Sequence, residues 1–175
     1  MDEKRQWIIE QHRNTNHMYD DYLPYEFHLR MVEDVYYEFK NLFYFSSEFD
    51  SDIHLAILGH DLIEDTRVTF NNVKDVLGET AANIIYAVSN EKGKNRDERA
   101  NDKYYEGIRK TRGAVFVKLC DRIANVRYSK MKRSSMFVKY RKENDHFIES
   151  LQLDRFHQPM ANYLKRILNI EKISW

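Results

Sequence analysis

Five glycines and two prolines are spread over 175 positions, and this scarcity of chain-breaking residues limits the possible folds more than any other feature. A sandwich or barrel needs a turn roughly every 8–12 residues, and parallel sheets need tight connections between strand and helix. Neither is supplied here, so the sequence points to helices. Apolar residues recur at helical spacing where that reading requires them, as at Phe27, Met31, Val32, Val35, Tyr36 and Phe39.

The rest of the chain divides in the same way. Trp7, Ile8, Ile9 and His12 predict a short first helix that fades into the polar stretch Asn14–Asp21. Pro24 suits the first turn of the next helix, where its missing N–H costs nothing. Asp50 or Ser51 is placed to cap a helix carrying Ile53, Ala56, Ile57, Leu58 and Leu62, and running through His60 and Asp61. Thr69 and Gly78 bracket a short helix ending at Leu77. Ala81–Val88 and Ala114–Tyr128 predict two buried helices, and the segments around Phe137–Leu151 and Phe156–Ile170 two amphipathic ones. Asn90–Asp102 is densely charged and reads as an exposed loop. The expectation is an all-α bundle of roughly eight to ten helices, a single domain over residues 1–175.

Composition narrows the function. Hydrophobic residues at 42% and charged residues at 32% describe a globular chain, and the aromatic share of 14% supplies a Tyr- and Phe-rich core. Twenty-eight basic residues balance twenty-eight acidic ones, so no nucleic-acid partner is expected. The basic clusters Lys130–Arg133 and Lys139–Lys142 read as solvated helix faces. Cys120 is the only cysteine, which leaves no intramolecular disulfide and suits a reducing compartment. The N-terminus has no apolar targeting core, and no run approaches the ~18 apolar residues of a membrane span. A cytoplasmic protein without a membrane partner is expected.

The chemistry is concentrated in Leu58-Gly59-His60-Asp61-Leu62-Ile63-Glu64-Asp65-Thr66. On a continuous helix His60 stacks with Glu64, and Asp61 with Asp65. Four ionisable groups on an otherwise apolar helix are costly unless something compensates them, and a divalent cation is the simplest compensation. The plainer reading of His60-Asp61 alone is a pair at a helix terminus. Two further strings weigh against it. Pro24-Tyr25-Glu26-Phe27-His28 sets a histidine among apolar neighbours, and Val117-Lys118-Leu119-Cys120-Asp121-Arg122-Ile123-Ala124-Asn125 sets an aspartate inside an apolar helix, one turn before an asparagine. A buried carboxylate is rare without a partner.

The order His, His-Asp, Asp resembles the HD-domain superfamily of metal-dependent phosphohydrolases. The surrounding strings are closest to the hydrolase domain of RelA/SpoT homologues, above all the stand-alone small alarmone hydrolases. Their hallmarks, Pro-Tyr-x-x-His, Leu-x-His-Asp-x-x-Glu-Asp-Thr and Lys-Leu-Ala-Asp-Arg/Lys-x-x-Asn, are matched by Pro24-Tyr25 with His28, by Leu58 with His60-Asp61 and Glu64-Asp65-Thr66, and by Lys118-Leu119-Cys120-Asp121-Arg122 with Asn125. The charged stretch Asn90–Arg99 resembles the connector of the small hydrolases. The resemblance spans roughly residues 10–135 and implies a hydrolase domain without a synthetase.

It also implies roles. His28, His60, Asp61 and Asp121 would ligate one cation, Mn²⁺ by resemblance, although imidazole and carboxylate suit other first-row metals too. Glu64 and Asp65 would orient or deprotonate the attacking water, and Asn125 would contact ribose. Lys118 and Arg122 would meet phosphate, with a surface salt bridge as the alternative for each. The implied reaction is hydrolysis of the 3′-pyrophosphate of guanosine tetra- or pentaphosphate, or a related alarmone. The alternatives are an HD phosphohydrolase acting on another nucleotide, of the NADPH phosphatase or nucleotidase type, and a non-catalytic nucleotide-binding module. The partner expected is therefore a small nucleotide; the oligomeric state is left open.

Two departures bear on the substrate. Where the family carries an Arg-Lys-Ser-like base-reading segment, an ungapped count places Tyr19-Asp20-Asp21, so Tyr19 is expected to stack on a base while the two carboxylates repel phosphate. Arg13 and His17 are the candidates to substitute. The span from His28 to His60 also looks long, with Lys40–Asp52 as the insertion. His12 and His17 are candidates to support the ligands from behind. His54 lies on another face of the metal-site helix, and His146 and His157 read as surface or core filler. Cys120 reads as a buried small hydrophobe, and the stripe Phe39, Leu42, Phe43, Phe45 as core, with dimer contact the lesser reading.

Overall fold

The computed structural model describes residues 2–89 and 100–169. Of the predicted charged loop Asn90–Asp102, residues 90–99 lie outside the described residues, as does the end of the last predicted segment at residue 170.

The chain begins with α1 (Asp2–Asn14), followed by a two-stranded antiparallel ribbon of β1 (Met18–Tyr19) and β2 (Leu23–Pro24). It continues through α2 (Glu26–Phe39), a 3₁₀ turn (Lys40–Leu42), α3 (Ser47–Gly59), α4 (Leu62–Asp65), α5 (Phe70–Leu77) and α6 (Glu79–Val88). The remaining helices are α7 (Asp102–Lys110), α8 (Ala114–Met131), α9 (Ser135–Leu151) and α10 (Gln158–Ile167). Ten helices among the described residues place the chain in the expected all-α class.

Helix α8 is the axis. Twelve of its eighteen residues are buried, as suits a helix covered on most sides. It packs against α2, α3, α6, α7, α9 and α10, so any polar group it carries is held within the bundle. Its start is set by Gly113, at φ +87°, where an added Cβ would fall 2.3 Å from Ile53 Cδ1; no other residue fits that left-handed, crowded position. Gly59 performs a similar service at the end of α3, where a Cβ would fall 2.8 Å from Ile85 Cδ1 of α6.

Local signals account for most boundaries. Thr69 caps α5 through a reciprocal pair with Asn72: the Asn72 N–H donates to Thr69 Oγ1 at 3.4 Å, and the Thr69 N–H to Asn72 Oδ1 at 2.9 Å. Gly78 follows Leu77 as expected, at φ +102°. Two boundaries differ from expectation. Ser46, not Asp50 or Ser51, caps α3 by accepting from the Phe49 N–H at 3.3 Å, so part of the presumed insertion is helix. Its phenylalanines pack on the core: Phe43 stacks on Phe45 at 5.3 Å, and both rings meet Phe116 of α8. Leu42, expected in the same stripe, is instead exposed because the 3₁₀ turn points it outwards, and Tyr44 just beyond the turn is exposed too.

The larger difference lies at the metal motif. The helix predicted to run through His60 and Asp61 breaks there: α3 ends at Gly59, Asp61 takes φ −102°, ψ 4°, and the short α4 begins at Leu62. Adjacent residues on an unbroken helix diverge by about 100°. The break lets His60 and Asp61 face one point, while the fully buried Leu62 anchors the far side. The polar stretch before Pro24 also acquires structure. Met18 pairs with Pro24 and Tyr19 with Leu23, and Asp20 and Asp21 turn the chain at φ +53° and +67°. Aspartate tolerates that region better than most residues. Pro24 accordingly ends β2, just before Tyr25 begins the α2 turn. No helix among the described residues is long and apolar enough to cross a membrane.

Candidate metal centre

Three elements converge beneath α8. The first turn of α2 delivers His28, the α3–α4 break delivers His60 and Asp61, and the middle of α8 delivers Asp121. His28 Nε2 and His60 Nε2 face each other at 3.2 Å, and Asp121 Oδ1 lies 3.5 Å from the first and 3.7 Å from the second. Donors about 2.1 Å from a common cation sit roughly 3.0–3.4 Å apart, so these three atoms fit a shared metal ion with little adjustment. The ligand atoms of His28, His60 and Asp121 all fall within 4.8 Å of one another. Asp61 adjoins this group, with Oδ2 2.9 Å from His60 Nε2 and 3.8 Å from His28 Nε2.

The tautomer of His60 is fixed. Its Nδ1 lies 2.8 Å from the Ile57 carbonyl, which only accepts, so Nδ1 carries the proton and Nε2 is left to bind a cation. Without one, burial opposes charge on His60, but the carboxylates of Asp61 and Asp121 prevail and draw it up to about 9. The same attraction, from Lys118 and the histidines, holds Asp121 well below the usual carboxylate range against the effect of burial. Asp61 is held low mainly by His60. The donor set is therefore two imidazoles and two ionised carboxylates in a buried site, which suits a divalent first-row ion.

A supporting ring surrounds the ligands. The Tyr25 hydroxyl donates to Asp61 Oδ2, and the Asn125 amide to Asp121 Oδ1. Lys118 Nζ lies 3.2 Å from Asp121 Oδ2, so Lys118 is buried against the centre rather than in a surface pair. His12 and His17 both stack on the Tyr25 ring, at 4.3 and 3.9 Å. Their Nδ1 atoms meet at 3.0 Å, and burial pushes His12 down to about 3, so it is neutral. Tyr25 stands inside a quoted motif, yet its role is visible only once Asp61 turns towards it.

The centre opens into a cleft of about 540 Å³. Asp61, Glu64, Asp65, Lys118, Asp121, Arg122 and Asn125 line it, which brings most of the sequence-predicted site to one place. Asp65, although its side chain is 36% exposed, is pushed up to about 7 by desolvation and by the charges of Asp61 and Glu64; a bound cation would reverse that tendency. Arg122 is buried, with its guanidinium 4.2 Å from the Phe147 ring and 4.8 Å from that of Tyr140, and 3.4 Å from Glu143. The opposite wall, from α7 and α9, carries Tyr104, Tyr105, Tyr140 and His146. His146 is thus part of the cleft rather than filler; nothing in its local sequence distinguishes it.

The remaining candidates are engaged elsewhere. Arg13 pairs with Glu26, His54 with Glu33 at 2.7 Å, and His157 with Asp154 at 2.7 Å. His17 lies 3.6 Å from Asp65. Asp20 does not repel incoming phosphate freely, because Lys132 lies 2.9 Å away and the Tyr128 hydroxyl donates to it. Tyr19 reaches the centre itself, stacked on His28 at 4.7 Å with its hydroxyl on Asn125. Cys120 is buried, and burial pushes its thiol up, as for an inert core residue.

No protein-family profile matches the chain. Over 121 residues, 69% of its length, it is 30% identical to the zebrafish (Danio rerio) guanosine-3′,5′-bis(diphosphate) 3′-pyrophosphohydrolase MESH1, covering 64% of that protein. Over 78 residues it is 27% identical to the Drosophila melanogaster protein of the same name, covering 44% of it. The match therefore spans less than two thirds of each relative. Among solved structures, a metazoan ortholog of SpoT, described as hydrolysing ppGpp and playing a role in starvation responses, superposes with a TM-score of 0.67 at 21% identity. That superposition covers 94% of this chain and 92% of the other. The chain has the fold of that metazoan SpoT ortholog and is a sequence relative of the MESH1 pyrophosphohydrolases.

Proposed function

We propose that the protein is a metal-dependent phosphohydrolase that removes the 3′-pyrophosphate of guanosine tetra- or pentaphosphate or a related alarmone. The observation that carries this reading is the convergence of His28, His60 and Asp121 at the floor of a cleft that also holds Glu64, Asp65, Lys118 and Arg122. Similarity to the MESH1 proteins, which are named for this reaction, supports the choice of substrate.

His28, His60, Asp61 and Asp121 would hold one divalent cation, proposed to be Mn²⁺. Such an ion lowers the pKa of a water and shields phosphate charge. Glu64 and Asp65 line the cleft beside the ligands, where one of the two carboxylates takes the proton as the water oxygen bonds to the phosphorus attached to O3′. The P–O3′ bond breaks, O3′ leaves with a proton, and pyrophosphate is the second product. Lys118 and Arg122 offer cationic charge to the phosphates, and Asn125, which lines the same cleft, would meet ribose. The protein would work in the cytoplasm, on a small nucleotide and without a nucleic-acid or membrane partner.

A phosphate- and pyrophosphate-release panel tests the proposal. Mn²⁺-loaded protein and its Asp61→Ala variant are offered guanosine and adenosine alarmones, NADPH and ordinary nucleotides. Pyrophosphate from an alarmone with the wild type alone is the expected result. Turnover of NADPH or another nucleotide with alarmones untouched would overturn the substrate and keep the metal centre.

A further inference from the structure

We infer that Tyr19 is a positioning residue for the metal centre, holding the Asp121 carboxylate through the Asn125 amide and the His28 imidazole through its own ring. The inference rests on the metal-binding reading above and goes beyond it, because it moves Tyr19 from the substrate to the ligands.

The hydrogen-bond chain has one consistent direction. Tyr19 Oη lies 3.0 Å from Asn125 Oδ1 and donates to it, and Asn125 Nδ2 donates to Asp121 Oδ1. That carboxylate oxygen is the one facing both histidines, at 3.5 and 3.7 Å. If the amide were reversed, its oxygen would face a carboxylate, two acceptors with no proton between them. The phenol engages the amide oxygen and so keeps the NH₂ group on Asp121.

The ring does separate work. Of the two imidazoles, His60 is oriented by the Ile57 carbonyl, whereas His28 Nδ1 is buried with no hydrogen-bond partner among the described residues. Tyr19 stacks on the His28 ring, 4.7 Å away and 12° from parallel, while Tyr25 meets it only at a tilt, at 5.3 Å and 58°. Stacking takes the place of the hydrogen bond that usually orients a ligand histidine. The Tyr19 ring also meets that of Tyr128 edge-on, at 4.8 Å and 62°.

One face of α8 organises the arrangement. Asp121, Asn125, Tyr128 and Lys132 are spaced four, three and four residues apart, so the first three share a face of α8 and Lys132, capping its end, continues it. The first two are the ligand and its amide. The last two grip Asp20, next to Tyr19, through the Tyr128 hydroxyl at 2.5 Å and Lys132 Nζ at 2.9 Å.

The experiment measures Mn²⁺ affinity of substrate-free full-length protein by the electron paramagnetic resonance signal of free Mn²⁺, alongside kcat and KM. Tyr19→Phe keeps the ring and removes the hydroxyl. It should weaken Mn²⁺ binding about tenfold, at the low end of the 10–100-fold typical of such supporting bonds, and leave KM within about twofold. In an Asn125→Ala background the same change should have almost no further effect. Tyr19→Ala, checked for folding by circular dichroism, should weaken binding more than Tyr19→Phe. Unchanged Mn²⁺ affinity in Tyr19→Phe, or an equal loss in the Asn125→Ala background, would overturn the inference. A raised KM with normal metal binding would return Tyr19 to the base. His60→Ala separates the two levels: if it binds Mn²⁺ like wild type, the metal reading itself falls and this inference with it.

Discussion

The floor of the cleft and the turn of the β1–β2 ribbon are built from the same kinds of residue but by different means. At the floor, His28 and Asp121 project from helices, and His60 from the break after α3, all set by buried apolar faces, and their exposure is 1%, 9% and 1%. In the ribbon, the Tyr19–Tyr22 turn is held by pairs made over more than a hundred residues of sequence, such as Asp20 with Tyr128 and Tyr22 with Lys132. The floor is rigid because moving one of its side chains would disturb the core. The turn is held by more exposed polar contacts that cost little to rearrange. The floor should therefore tolerate almost no change, whereas the outer pairs of the turn should tolerate substitution.

The largest effects belong to the floor. His60→Ala removes one donor and leaves Asp61 and Asp121 facing each other's charge, so both Mn²⁺ binding and turnover should fall to background. Calorimetry and the release assay check this together; retained turnover would break the contrast at once. Glu64→Gln comes next. It keeps shape and donors but cannot take a proton, so Mn²⁺ should bind normally while kcat falls by about 10²–10⁴, the usual worth of a general base. Full activity in Glu64→Gln would assign that role to Asp65.

The same contrast explains what could be read in advance. The sparing use of glycine and proline, the helical recurrence in α2 and α8, and the capping signals at Thr69 and Gly78 fixed the fold class and most boundaries, because each is a local cause with a local effect. The cluster of His28, His60 and Asp121 was legible because ionisable groups in apolar strings need a common explanation. The break at His60-Asp61 was not, since a continuous stripe from Ile53 to Leu62 reads the same whether or not the helix pauses at Gly59. Its cause is tertiary, the close packing of Gly59 on Ile85. Nor did the Tyr19–Asp21 turn announce itself: two aspartates in left-handed conformations look like any polar loop, and the partners that hold them lie on α8. His146 entered the cleft wall through packing of α9 on α7 and α8, which no spacing within α9 reveals.

Metal removal should have a smaller but diagnostic effect on stability. In the metal-free protein His60 is drawn up to about 9, above the ordinary value of about 6.5. A raised folded-state value means the protonated form is favoured by folding. Its contribution is therefore fully present below about pH 6.5 and is lost as the pH rises through 9. Thermal unfolding of the chelator-treated protein should fall across that window, while the Mn²⁺-loaded protein, whose cation replaces the proton, should change much less. Mn²⁺ binding at pH 7 should accordingly release a proton, visible as a buffer-dependent binding enthalpy. Identical pH profiles with and without metal would mean that His60 is not a ligand.

The smallest expected effect is the most direct comparison of floor and turn. Lys118 lies on α8 and Lys132 just past its end, each against an aspartate, at 3.2 Å from Asp121 and 2.9 Å from Asp20. Distance alone would make the turn pair the stronger. Burial reverses the order, because the Lys118 and Asp121 side chains are 14% and 13% exposed, against 36% and 34% for Lys132 and Asp20. Lys118→Met strands a nearly buried carboxylate, and should destabilise the metal-free protein by about 3 kcal/mol and the Mn²⁺-loaded protein by less, since the cation compensates the same charge. Lys132→Met leaves Asp20 to water and the Tyr128 hydroxyl, so its melting temperature and Mn²⁺ affinity should stay within measurement scatter, and KM should move by less than about threefold. Equal losses in the two variants would show that the turn is held as firmly as the floor, and that burial does not set the worth of these two pairs.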